Sequence, residues 1–407
     1  MRLASGYPRP RRRRQYHRRG AVFIIALVIT VILSAMLLVF AQQMRSEAIT
    51  SGSRLAQVKA DAVEQGAEQW VLAQVEANVT PLPTTGGTAA AASGTAVDPT
   101  TIPAEALQVG DGYFWLLHPD PTQDQTYGFG IVDESGKLNL NGASVNALSQ
   151  LPDMTTDLAD LINSWPSSAG ASGTTLTFES VENLLLVDPS LTPQVLYGYD
   201  LNRDGVIDPA EMAASNGAAT SDGSTTDSRG IFNYVTVFST NAQPGTTGTT
   251  APTSARRGNA LVLTQQTIGL INVNTAPAQV LQCLAAVTPA IASSMVAARG
   301  TSPTPGDTSW VAQAVGPSVS SAITPYITGT SYQYSADIVA VSGDGRAFKR
   351  VRIVVDARQQ PAKIIYRKDL TSLGWPLPAE VQASMRAGQG VPQDVQGTTN
   401  AQGTGGI

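Results

Sequence analysis

The sequence contains few of the residues on which common enzyme active sites depend. Its one cysteine, Cys283, excludes an internal disulfide bond and a cysteine-rich metal site. Its two histidines, His17 and His118, leave almost nothing from which to build a zinc centre or a histidine-based catalytic triad. The chain also lacks a G-x-S-x-G nucleophile elbow, a Walker loop and an H-E-x-x-H motif. We therefore expect that the protein is not an enzyme.

Acidic residues are absent from residues 1–20, which hold eight arginines. Because the whole chain has 26 basic and 31 acidic side chains, the remainder carries 18 basic residues and a net charge of −13. Such an acidic body is poorly suited to contact the phosphates of nucleic acids. We expect no nucleic-acid partner.

Charged residues are also absent from residues 21–41, an apolar run interrupted only by Thr30 and Ser34. About 20 apolar residues are enough for a helix to cross a bilayer. The run is longer than the apolar part of a signal peptide, and no small-residue cleavage site follows it. Since the arginines precede the run, the positive-inside rule places residues 1–20 in the cytoplasm and the body on the other side. A plain membrane anchor satisfies the same observations.

The helical pattern continues beyond the apolar run. Between Arg45 and Asn78 there is no proline, and apolar or small residues recur every three or four positions with charged residues between them. The pattern predicts one helix over 21–78, with an amphipathic second half. A basic leader that ends in Gly20, followed by such a helix, resembles the type IV pilins and pseudopilins. The resemblance implies that a prepilin peptidase cuts between Gly20 and Ala21 and methylates the new amino terminus.

The fifth residue after this cut is Ile25, where most pilin-like proteins carry a glutamate. An acid in the bilayer is costly unless it is paired, and in a filament its partner is the terminal amine of the neighbouring subunit. A subunit without the acid therefore resembles the K-type minor pseudopilin of type II secretion systems (the GspK family). The resemblance implies a position at the tip of a periplasmic pseudopilus, association with I-type and J-type minor pseudopilins, and a single-pass anchor in the bacterial inner membrane with the body in the periplasm.

Short runs rich in aromatic and β-branched residues predict strands in two parts of the body. GYFWLLH, QTYGFGIVDES and KLNLN form the first group, while YSADIVAVS and AFKRVRIVVDA flank a hairpin signal at residues 343–346. The two groups belong most economically to one antiparallel sheet with an insertion between them. Segments such as DMTTDLADLINSW and FESVENLLLV indicate that the insertion is largely helical.

These predictions define an α+β fold, in which a pilin-like long N-terminal helix packs on a small antiparallel sheet and a large, mostly helical domain is inserted between strands. The K-type resemblance implies the same organisation, and DESGKLNLN and INVNTAPAQVLQCL resemble recurring segments of that family. The predicted parts are a prepilin leader (1–20), a transmembrane and amphipathic helix (21–80), a linker (81–104), the first part of the sheet (105–141), the inserted domain (142–330), the C-terminal hairpin of the sheet (331–357) and a partly disordered C-terminal extension (358–407).

One segment of the insertion, YDLNRDGVIDPAEM, has the spacing of an EF-hand loop. Alternate side-chain oxygens can face a cation, Gly205 permits the sharp turn, and the last acid can close the shell with both oxygens. The same residue types are common in ordinary solvated turns. The spacing favours structural calcium, which would order the insertion for docking to partners. The predicted ligands are Asp200, Asn202, Asp204, the Val206 carbonyl, Asp208 and Glu211.

Residues 271–300 also resemble a helix-hairpin-helix, the DNA-binding unit of competence proteins. Asn274 or Thr275 can cap the first helix. The hairpin, however, has Pro289 and no glycine where backbone N–H groups would approach a phosphate. We expect this segment to serve packing, with Cys283 as an inert buried thiol.

Three classes of function follow from the sequence. The favoured class is a structural tip subunit that initiates or caps a pseudopilus for protein export. The second is a DNA-handling minor pilin or competence protein that uses residues 271–300. The third is a membrane-anchored enzyme or receptor in which a calcium ion stabilises the fold.

Overall fold

The computed structural model describes ten parts of the chain, and the fold is given for these alone. They are residues 18–79, 102–119, 127–168, 177–200, 202–207, 211, 230–240, 269–300, 304 and 306–392. Most of the predicted leader and linker, the predicted ligand Asp208 and the last residues of the C-terminal extension lie outside them. The chain divides into two units, Met1–Leu55 and Ala56–Ile407.

The first helix, α1, runs from Arg18 to Asn78, which confirms the prediction of one continuous helix. In the first unit its large apolar side chains between Val22 and Phe40 are exposed. Among the described residues this is the one helix that is long and apolar enough to cross a membrane. An uncovered apolar surface of this kind suits lipid better than water, so the helix fits a single-pass anchor.

The second unit is built on a seven-stranded antiparallel sheet. Its strands are β1 (Leu107–Val109), β2 (Gly112–Pro119), β3 (Tyr127–Phe129), β4 (Val132–Asp133), β9 (Gln333–Val341), β10 (Phe348–Asp356) and β11 (Lys363–Asp369). The main path follows the order β1-β2-β9-β10-β11, while β3 pairs with β2 and β4 pairs with β9.

Strands from the two ends of the body pair directly, as the sequence predicts. Strand β2 runs antiparallel to β9, with Tyr113 opposite Val341. Strands β9 and β10 form the predicted hairpin, whose turn includes Gly345 at a φ of +61°. A positive φ of this size favours glycine over residues with a side chain. The insertion therefore lies between strands of a single sheet.

The sheet continues beyond residue 357, the predicted end of the C-terminal hairpin. Strand β11 pairs with β10 along its length, and helix α9 (Ala379–Arg386) follows it. Four of the seven residues of β11 are charged, which hides the strand pattern in the sequence. The charges are compatible with a strand because β11 lies at the edge of the sheet.

Each face of the sheet is covered by helix. From residue 56 onward, α1 packs its buried side chains against one face; they include Val63, Ala67, Val71 and Val75. Part of the other face, around Trp115 and Val339, is covered by Val381 and Met385 of α9. The sheet is thus buried on both sides within the second unit.

The insertion has its own hydrophobic core and mostly short helices. Its helices are α2 (Val145–Leu148), α3 (Thr156–Ser168), α4 (Pro193–Tyr197), α5 (Ala278–Leu281), α6 (Pro289–Arg299), α7 (Trp310–Val315) and α8 (Pro317–Ile323). Two small parallel pairs accompany them: β5 (Leu138–Asn139) with β6 (Val235–Thr236), and β7 (Ile271–Asn272) with β8 (Ile327–Thr328). The segment FESVENLLLV forms a 3-10 helix, Val181–Leu186, rather than an α-helix. Thr155 caps α3, since its hydroxyl accepts from the Leu158 N–H at 3.2 Å.

Candidate functional site

The acidic loop that begins at Asp200 is folded around its own side-chain oxygens. The two carboxylate oxygens of Asp200 accept the N–H groups of Asp204 and Gly205, each at 3.0 Å. The Oδ1 of Asn202 accepts the Asp204 N–H at 2.8 Å, and the Oδ1 of Asp204 accepts the Val206 N–H at 2.8 Å. Alternate residues of the predicted ligand set therefore turn their oxygens to the inside of the loop.

Glycine is needed at the sharpest point of this loop. Gly205 has a φ of +86° and stands where an EF-hand loop has its sixth residue. A Cβ atom at Gly205 would come within 2.8 Å of the Pro119 Cα at the end of β2. Any side chain would therefore strain the backbone and push the loop away from the sheet.

Asp200 and Asp204 are held in an environment that disfavours their charge. Burial, followed by repulsion from Asp204, raises the pKa of Asp200 to about 7. Burial also raises the pKa of Asp204 to about 6, against a hydrogen bond from the Val206 N–H. A nearby divalent cation would stabilise the ionised forms of both groups.

The described part of the loop supplies oxygen donors of the type that calcium prefers, but it does not close the ligand shell. Glu211 lies near the start of the loop, where its Oε1 accepts the Asn202 N–H at 3.2 Å. Within the described ranges, no group of three or more His, Cys, Asp or Glu side chains is arranged to hold a metal ion. Asp208, the ninth position, lies outside these ranges.

The loop is attached to the sheet by an arginine that the sequence analysis missed. Arg350 lies in β10 with a fully buried side chain. Its Nη1 donates to the Asn202 carbonyl at 2.7 Å, and its Nη2 donates to the Arg203 carbonyl. A sequence pattern could not reveal this contact because 148 residues separate Arg350 from Asn202.

A second polar junction joins the insertion to the sheet at Asp133, the last residue of β4. The Oδ2 of Asp133 accepts from Asn272 Nδ2 and from Thr275 Oγ1, both at 2.7 Å. Burial raises the pKa of Asp133 above its ordinary value, while hydrogen bonds oppose the shift. These contacts connect the DES segment with INVNT, so the two segments that resemble recurring family segments meet in space.

Glu134 extends this junction. Its Oε1 accepts from Lys137 Nζ at 2.5 Å and from Ser335 Oγ at 2.6 Å, and its Oε2 accepts from Thr236 Oγ1. Burial alone would raise the pKa of Glu134, but Lys137 and the two hydroxyl groups outweigh burial and lower it. One buried carboxylate thus ties β9 to β6 of the insertion.

The expected caps of the helix after INVNT are wrong. Helix α5 begins after Pro277, which makes no side-chain cap, whereas Thr275 donates to Asp133. Asn274 instead accepts from Trp310 Nε1 at 3.0 Å. Buried polar partners in the tertiary structure therefore outcompete the local capping role for both side chains.

The apolar residues that were expected to form the core of this segment are buried. Leu281, Cys283 and Leu284 are buried, and burial raises the pKa of the Cys283 thiol to about 12. Pro289 occupies the first turn of α6, and the Thr288 hydroxyl caps that helix by accepting the Ile291 N–H. A thiol of this kind is not a nucleophile at neutral pH.

Residues 271–328 match the family model described as "Type II secretion system (T2SS), protein K". We refer to residues 271–328 as the protein K segment, after the family model that they match. Over these residues, the match agrees with the resemblance to the K-type minor pseudopilins that the sequence shows. The protein K segment begins at β7 and ends at β8. These two strands pair in parallel, so the two ends of the segment lie side by side. Its first residues are the ones that contact Asp133.

A comparison with solved structures gives a loose overall resemblance. A chain of "The Crystal Structure of the GspK-GspI-GspJ complex from enterotoxigenic Escherichia coli Type 2 Secretion System" is 10% identical in sequence, and the superposition has a TM-score of 0.40. It covers 80% of this chain and 99% of that chain. No curated protein matches the sequence.

The predicted processing residues lie in α1. Gly20 and Ala21 are both helical, and Ile25 exposes 58% of its surface in the first unit. Among the described residues of α1, the first acidic side chain is Glu47, which lies beyond the apolar run. The helix therefore has no carboxylate within residues 21–41 to pair with a neighbouring amine.

Proposed function

We propose that this chain is a minor pseudopilin at the tip of a periplasmic pseudopilus, where it initiates or caps the filament for protein export. The observation that carries the proposal is the protein K segment, residues 271–328, which is closed by β7 and β8 and joined to the sheet through Asp133. The apolar first part of α1 supports an inner-membrane anchor with the body in the periplasm.

The tip position is supported by Ile25. A subunit inside a filament has an earlier subunit whose terminal amine needs an acidic partner in the lipid. A subunit that enters first has no such neighbour, so the acid is dispensable. The bulk of the insertion would then prevent further subunits from adding above it.

The first processing step is cleavage by a prepilin peptidase. The bond between Gly20 and Ala21 follows the arginine-rich leader and precedes the apolar run. Cleavage and methylation there would release α1 from the leader while leaving it anchored in the bilayer.

The proposed partners are the I-type and J-type minor pseudopilins. The structurally similar chain described above comes from a complex of GspK with GspI and GspJ. The test is crosslinking of the tagged full-length chain in native membranes, followed by mass spectrometry. We expect crosslinks from the body to both minor pseudopilins and about one copy of the chain per filament. Many copies spread along the filament, or no crosslink to either partner, would contradict the tip assignment.

Calcium is proposed as a structural ion of the acidic loop. The ligands would be Asp200, Asn202, Asp204, the Val206 carbonyl, Asp208 and Glu211. A bound divalent cation would supply positive charge to carboxylates that burial otherwise drives toward their neutral forms. The loop's own hydrogen bonds keep Asp200, Asn202 and Asp204 turned inward, as the site requires.

A further inference from the structure

We propose that Arg350 is the positioning residue of the acidic loop, so that calcium binding by the loop and docking of the loop on the sheet stabilise each other. This proposal rests on the calcium site proposed above. If Arg350 positions the loop, the calcium site stabilises the contact between the insertion and the sheet, and not the insertion alone.

The geometry shows what Arg350 does to the loop backbone. Its two terminal nitrogens hold the carbonyls of Asn202 and Arg203, the third and fourth positions of the loop. Arg203 has a φ of +58°, which is uncommon for a residue with a side chain. Because the guanidinium is planar and fixed by β10, it can hold two successive carbonyls in one orientation.

Arg350 is not used chiefly as an ion-pair partner. Its closest carboxylate contact is to Asp337 at 3.9 Å, whereas Arg352 binds both oxygens of Asp337. The Arg350 Nε atom is buried and has no hydrogen-bond partner, and the same holds for Arg203 Nε in the loop and for Tyr197 Oη before it. The direct hydrogen bonds of this buried cation to the loop are therefore those to the two carbonyls.

The second attachment of the loop is steric. Gly205 approaches the backbone of Pro119 so closely that no Cβ would fit, and Pro119 ends β2 of the same sheet. The loop is therefore held at its third and fourth positions by β10 and at its sixth position by β2. Movement of the sheet away from the insertion would disturb the ligands Asn202 and Asp204.

The charge of Arg350 allows a positioning role to be distinguished from a purely electrostatic one. Arg350 is a cation close to Asp200 and Asp204, so by charge alone its removal should strengthen the binding of a second cation. If Arg350 positions the loop, its removal should weaken cation binding. The two roles therefore predict opposite changes in calcium affinity.

The experiment is a calorimetric calcium titration of the full-length chain in detergent. The variants are Arg350→Met and, as a matched control, Lys349→Met; Lys349 is the neighbouring cation of β10 and contacts Asp61 and Asp369 instead of the loop. We expect Arg350→Met to weaken calcium binding by about ten-fold or more, and Lys349→Met to leave it unchanged. Unchanged or tighter binding by Arg350→Met would overturn the proposal.

Hydrogen exchange in the presence of a chelator separates this proposal from the calcium site itself. Without calcium, the amides of Gly205 and Val206 should exchange faster in Arg350→Met than in the wild type, while those of β9 stay protected. If the wild type binds no calcium, the calcium site fails, and the same exchange data still decide whether Arg350 positions the loop. Equal exchange in both proteins would overturn the positioning role. If Arg350→Met does not fold, Arg350→Lys provides both measurements, because it keeps the charge but cannot hold two carbonyls in a planar fork.

Discussion

Single buried polar side chains connect the sheet and the insertion. Asp133 and Arg350 each make two hydrogen bonds to the insertion, and Glu134 accepts one from Thr236 of the insertion and one from Ser335 of the sheet. Such groups are costly when they lose a partner, because water cannot replace the lost bond in the interior. The junction therefore depends on each of them individually.

Replacing Glu134 by Gln should destabilise the protein most at neutral pH. The folded protein lowers the pKa of Glu134, so its stabilising contribution is fully present above the ordinary pKa of 4.5, declines as the pH falls below 4.5, and is lost as the pH falls through the lower pKa of the folded state. Because the partly buried Lys137 would lose its carboxylate partner, we expect a loss of about 2 kcal/mol in the free energy of unfolding at pH 7. Denaturant unfolding of the full-length chain at pH 7 and pH 4 would measure the difference.

The matched control for this prediction is Asp160→Asn, which removes an exposed acid from α3 of the insertion. It should change the free energy of unfolding by less than about 0.5 kcal/mol. A Glu134→Gln variant as stable as this control at pH 7, or one whose deficit grows toward pH 4, would contradict the role given to Glu134.

Residues that are close in sequence could be predicted to share a site, and distant ones could not. The inward-facing oxygens of Asp200, Asn202 and Asp204 follow from a spacing of two along the chain. The partners Asp133 and Asn272 are 139 residues apart, and nothing in either local pattern indicates that they meet. Asn274 and Thr275 resemble helix caps in the sequence but serve tertiary contacts in the structure, because their partners lie 36 and 142 residues away along the chain.

At the scale of elements, the C-terminal segment completes the sheet. Strand β11 covers the edge of β10, and Arg367 of β11 donates to Glu64 and Glu68 of α1 at 2.7 Å each. Helix α9 covers the apolar patch around Trp115. The hairpin of β9 and β10 was predictable from its turn and its apolar strands, whereas the charged strand β11 was not.

Truncation after residue 357 should therefore prevent the body from folding as a monodisperse species. It would expose the β10 edge and remove the buried Leu377, Val381 and Met385, each worth about 1.5–3 kcal/mol on burial. Size-exclusion chromatography in detergent and a thermal melt would show the effect. A truncation after residue 392 is the control and should behave as the full chain. A well-folded, monodisperse protein that ends at residue 357 would show that the body folds without β11 and α9, which would contradict this prediction.

At the scale of the whole molecule, the α+β fold class and the insertion between paired strands could be predicted because each rests on a strong pattern. A charge-free run marks the anchor, and two groups of antiparallel strands mark the sheet. The way in which the insertion is fixed to the sheet could not be predicted, because it depends on the junction residues rather than on periodicity. Residues 271–328, which match the protein K family model, include Asn272 at that junction.

The most direct test of processing as a pilin-like subunit is to determine the N-terminal sequence and intact mass of the protein. The protein is extracted from membranes of cells with and without their prepilin peptidase. A pilin-like subunit should begin at a methylated Ala21, and only when the peptidase is present. An intact arginine-rich leader in both strains would contradict it, because the protein would then be a static anchor rather than a subunit of a pilin-like filament.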